Sequence, residues 1–109
     1  MKITVERFNE YVRQYVKGVL LPNAKSSITK FKIGFVLGTD VLAMNSQMLE
    51  SMKTLGVADD SGIEMDRLKK AVYSGLDASG EIAVPQLGIH LDRPDVDRFF
   101  ALVETGAIG

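Results

Sequence analysis

Two groups of carboxylates and a single histidine hold what reactive chemistry this chain could offer. Asp59, Asp60, Glu64 and Asp66 form one group, and Asp92, Asp95 and Asp97 form a second, with His90 beside it. Clustered carboxylates can bind calcium or magnesium, or divide the roles of general acid and base. An EF-hand loop would need Gly62 at its sixth position. That register puts Val57 first, Asp59 third, Ser61 fifth and Leu68 twelfth, so the first and last ligands are missing and the loop fails. Asp92, Asp95 and Asp97 fall where a helix should begin, and acids there complement the helix dipole. No metal and no cofactor is expected at either group.

His90 alternates with Ile89 and Leu91, so the apolar pair should face the core and His90 should face solvent beside Asp92. It has no second histidine, HExxH helix, nucleophile elbow or GxGxxG turn for company, and GFVLGTD lacks the lysine of a phosphate loop. The chain contains no cysteine, which excludes disulfide frameworks, thiolate metal sites and cysteine nucleophiles. An enzyme is therefore not expected. A small hydrolase with a site shared between subunits stands as an alternative, because so short a chain has little room for a cleft of about 300–1,000 Å³.

Both acidic groups touch a near-repeat: GIEMDR at 62–67 and GIHLDR at 88–93. Each copy spaces two apolar residues as a strand does and follows them with Asp. Both therefore predict a short strand ending at a helix start, with Asp66 and Asp92 as helix N-caps. Pro94 disfavours helical geometry at Arg93 and should delay the second helix by about two residues.

The elements that carry these residues can be laid out from periodicity. Phe8, Tyr11, Val12, Tyr15, Val16, Val19 and Leu20 repeat at helical spacing, with Thr4 as cap, Ile3 and Phe8 placed for a hydrophobic staple, and Pro22 as stop. Ser26 or Ser27 can cap the next segment, which is apolar on two sides. Ile28, Phe31 and Phe35 form one stripe, and Ile33, Val36 and Leu37 form another. A strand over IGFVLG competes with that helix. Gly34 and Gly38 stand one turn apart and could allow close approach of a second backbone. Val41, Met44, Met48, Met52 and Leu55 predict a further stripe closed by Gly56. Thr39 and Asp40 decide whether 28–55 is one helix or two. VADDSG reads as a turn, 66–77 as a helix, EIAV and LGIHL as strands, and Val96, Phe99, Phe100 and Val103 as the last helical stripe.

These elements predict a single α+β domain over 1–109, mainly helical. Four to five helices should accompany a small two- or three-stranded antiparallel sheet in the C-terminal half. The chain shows no secretory signal and no apolar run of about 18 residues, so a cytoplasmic protein with no membrane contact is expected.

Charge is uneven. Residues 1–32 hold seven basic and two acidic side chains, a net +5, whereas 33–109 hold six basic and twelve acidic, a net −6. Nucleic-acid binding through helix 1 or through Arg67, Lys69 and Lys70 is one alternative that follows. A pI near 5.8 weighs against it. So does the winged-helix order, which needs two helices between its first strand and its hairpin where only one fits. The favoured expectation is a non-enzymatic interaction or assembly module, binding itself as a homo-oligomer or binding another protein. Tyr11, Tyr15, Phe31, Gly34, Phe35 and Gly38 are the candidate self-association residues. Such a chain would suit a small structural component of a bacterial or phage assembly.

Overall fold

The computed structural model describes residues 1–37, 46–84 and 89–106. The protein is α+β and mainly helical, with five α-helices, a three-stranded antiparallel sheet and a separate two-stranded one among the described residues.

Strand β1 (Lys2–Ile3) leads into α1 (Val5–Tyr15). Thr4 caps the helix, its hydroxyl accepting from the Arg7 N–H at 3.1 Å. Helix α1 runs on into a π-helical turn over Val16–Leu20, closed by the Leu21 N–H on the Val16 carbonyl at 2.9 Å. The wider turn re-aims the apolar stripe. Tyr11 and Tyr15 face one core cluster, and Val16 faces another.

Ser26 accepts from the Thr29 N–H and starts α2 (Ser27–Leu37), so IGFVL, 33–37, lies in a helix and not a strand. Helix α3 (Ser46–Thr54) follows, and Gly56 beyond it takes a positive φ of 77°. Met52 packs on the core, while Met48 and Leu55 are exposed. Gly38, Thr39, Asp40, Val41 and Met44 lie outside the described residues, and with them the question of one helix or two.

The VADDSG segment forms more than a turn. Strands β2 (Ala58–Asp59) and β3 (Gly62–Glu64) make a hairpin, and β1 joins the other edge of β3, so the order is β1-β3-β2. Register sets Lys2 opposite Glu64 and Ile3 opposite Ile63. Gly62 has a φ of 143°, and a Cβ there would stand 2.1 Å from the Ile3 carbonyl oxygen. Only glycine permits both that φ and that approach.

Helix α4 (Met65–Ser79) begins at once. Its N-cap is Glu64, whose side chain makes no capping bond, so Asp66 lies in the first turn and not at the cap. Strands β4 (Ile82–Val84) and β5 (Ile89–Leu91) pair antiparallel, with Ile82 opposite Leu91. Helix α5 (Arg93–Thr105) has Asp92 as N-cap in a reciprocal capping box. The Asp92 carboxylate accepts from the Asp95 N–H at 3.2 Å, and the Asp95 carboxylate accepts from the Asp92 N–H at 3.1 Å. Arg93 is the first helical residue, so Pro94 causes no delay. Inside the first turn its missing N–H needs no partner.

The main core joins α1, α4 and α5 through Tyr11, Tyr15, Ile63, Met65, Leu76, Val96, Phe100, Leu102 and Val103. A smaller one holds α2 through Ile33 and Val36, packed with Val16 and fringed by Val84 and Ile89. Among the described residues, no helix is long and apolar enough to cross a membrane.

Candidate self-association surface

Among the described residues, helix α2 packs through one side only. Ile33 and Val36 are buried, whereas Ile28, Phe31 and Phe35 are 70%, 74% and 64% exposed. The two stripes of the sequence are thus real, and the one carrying both aromatic rings faces outward. Gly34 sits beside that outer stripe with nothing within 4 Å of where a Cβ would be. The helix carries Lys30 and Lys32 and no acid, and Lys25 precedes it.

Tyr11 and Tyr15 are placed otherwise. They are 6% and 3% exposed and belong to the main core, so they offer no surface to a partner. Tyr15 donates its hydroxyl to the Asp95 carbonyl at 2.8 Å, and its ring stands edge-on to Phe99 at 5.6 Å. Burial, reinforced by the charge of Asp95, pushes the Tyr15 pKa up to about 12. A helix stripe with tyrosines at its margin suits an interface or a core equally, and here distant backbone supplies the hydroxyl's partner.

The first acidic group is taken up by cations of the chain itself. Lys2 reaches Asp59 at 2.6 Å, and Ser61 donates to the same carboxylate through its N–H at 2.8 Å, closing the β2–β3 turn. The Lys2 and Ser61 bonds together hold Asp59 far below the usual carboxylate range. Lys53 reaches Asp60 at 2.6 Å. The amino group of Met1 lies 2.9 Å from Glu64 and 2.8 Å from Asp66. No group of three or more histidine or acidic side chains among the described residues is arranged to hold a metal ion.

The Met1 clamp is what GIEMDR does locally, and it was missed because its cation is the chain's own amino group. Hydrogen bonds from that ammonium, to Asp66 and then to Glu64, raise its pKa, and the same contact lowers both carboxylates. A raised ammonium stabilises fully below its ordinary pKa and loses that effect as pH rises through its folded value. The lowered carboxylates stabilise above their ordinary pKa and lose that effect as pH falls through theirs. The clamp should therefore act between about pH 5 and pH 8. Acetylating the Met1 amino group is expected to lower the Tm most within that window and little outside it. Thermal melts of free and acetylated chains across pH check this, and identical curves at every pH would remove the clamp's role.

His90 is exposed, as its alternation implies, but its Nδ1 faces Glu81 at 3.4 Å and not Asp92. It stands at a cleft shared with Lys25, Thr29, Asp95 and Arg98 over a floor of Ile33 and Ile89. Asp95 there is committed to the capping box and to Arg98 at 3.2 Å. Of the basic residues on α4, Lys69 pairs with Glu104 at 3.0 Å and Arg67 donates to the Gly56 carbonyl at 3.2 Å.

Compared with known protein families, curated proteins and solved structures, the chain matches none.

Proposed function

We propose that this chain is a non-enzymatic assembly module that self-associates through the outer face of α2. One observation carries the reading: Ile28, Phe31 and Phe35 stand exposed on a single stripe of a helix that buries only Ile33 and Val36. Single exposed apolar residues are ordinary, but a contiguous patch with two aromatic rings marks an interaction surface. Burying each Phe is worth about 1.5–3 kcal/mol, which a partner can supply.

A second copy is the occupant the charges favour. The basic 1–32 region, net +5, includes the first turns of α2, and the remainder of the same chain carries a net −6. Opposed charge of this kind speeds and orients encounter between copies.

The double substitution Phe31→Ser, Phe35→Ser tests the surface. Both side chains are already in water in the isolated chain, so its fold and melting curve should change little. Association should weaken by two orders of magnitude or more, about 3 kcal/mol at the lower limit of two lost Phe contacts. Sedimentation velocity over a dilution series reads this directly. An unchanged sedimentation profile would place the interface elsewhere.

A further inference from the structure

A hollow of about 240 Å³ lies between α1, α4, α5 and the β4–β5 pair, and it exposes only apolar surface. Tyr15, Val96 and Phe100 form its buried floor. Half-buried side chains, among them Phe8, Val72 and Leu91, form its walls, so it opens outward. An apolar cavity of about 150 Å³ already admits a benzene molecule and stays free of water when empty. This hollow has room for a phenyl ring with its methylene.

The same chain displays such a ring without a seat. Phe31 is the most exposed residue of the α2 stripe, with Lys30 and Lys32 on either side of it in sequence. We infer that Phe31 of one copy docks in the apolar hollow of a second copy, so that the chain associates head to tail. Charge supports the pairing. Segment 25–37 carries three lysines and no acid. Around the hollow, α1, the π-helical turn after it, 65–84 and 89–106 together carry eight basic and nine acidic side chains, a net −1. Knob and hollow are different surfaces, so the contact is heterologous. Each copy then keeps one free knob and one free hollow, and the chains form a ring or a filament.

This rests on the self-association proposed above and fixes its geometry. Two variants test it, Phe31→Ser to remove the knob and Val72→Phe to fill the hollow from inside. Each alone should associate at least tenfold more weakly than the wild type. An equimolar mixture should recover a one-to-one complex of twice the 11.9 kDa chain mass, because the filled variant lends its knob to the open hollow. If Val72→Phe associates as the wild type does, the hollow is not the seat, and self-association through α2 stands without it. If the wild type itself is monomeric, both readings fall.

Should Val72→Phe fail to fold, a sample mixing labelled and unlabelled wild-type chains gives the same answer. It should show intermolecular NOEs between the Phe31 ring and the methyl groups of Val72 and Leu68. An associated sample lacking them overturns the head-to-tail contact.

Discussion

Gly62→Ala is expected to cost at least about 3 kcal/mol, the upper part of the range for strained backbone, and to detach β1 from the sheet. Two effects add. The φ of 143° is one that L side chains rarely adopt, and the new methyl would stand 2.1 Å from the Ile3 carbonyl oxygen. The neighbours are backbone atoms of Ile3 and Thr4, so no side-chain rotation relieves the clash. Moving β1 away separates Lys2 from Asp59 and Met1 from Glu64 and Asp66, so one methyl dissolves a whole corner. Gly34→Ala is the matched control. It meets open space inside a helix, where alanine exceeds glycine by about 0.5–1 kcal/mol. Urea unfolding of both should therefore show shifts of opposite sign. A Gly62→Ala midpoint equal to the wild type would show that the β1–β3 approach is wrong.

Phe100→Ala should destabilise by about 3–5 kcal/mol, the usual range for emptying a buried aromatic site. Phe100 is 4% exposed and meets Phe99 edge-on at 5.4 Å and Tyr73 at 5.9 Å. It is also part of the floor of the apolar hollow, so its loss enlarges a space that water does not wet favourably. Benzene at saturation should then raise the Tm of the variant more than that of the wild type, by mass action on the folded state. Calorimetry with and without benzene reads both halves of the prediction. A loss under about 1 kcal/mol, typical of a surface change, would contradict the packing described.

Local signals were readable where their causes are local. Thr4, Ser26 and Asp92 sit at helix starts because each hydroxyl or carboxylate reaches an N–H three residues on. The two apolar stripes of α2 were also plain, but periodicity cannot say which of two apolar faces meets solvent. Partners distant in sequence were hidden. Strand β1 is two residues long and finds its mate only at β3, and β2 was submerged in a turn-forming composition.

Asp66 looked like a cap because nothing near it in sequence suggests an ammonium partner. In the fold, Met1 takes its carboxylate and the N-cap of α4 falls two residues earlier, at Glu64. Tyr11 and Tyr15 looked suited to an interface until the Asp95 carbonyl supplied Tyr15 with an internal acceptor. Of the candidate association residues, Phe31, Gly34 and Phe35 share the open face of α2, and Gly38 lies outside the described residues. The near-repeat therefore serves two ends. GIEMDR receives the amino terminus, and the Asp of GIHLDR closes a capping box.

On the proposed reading, the exposed face of α2 is covered by another copy. Light scattering on the wild-type chain across a micromolar dilution series tests it most directly. Self-association should give a mass above 11.9 kDa that falls toward that value on dilution. A constant mass of one chain at every concentration would contradict it.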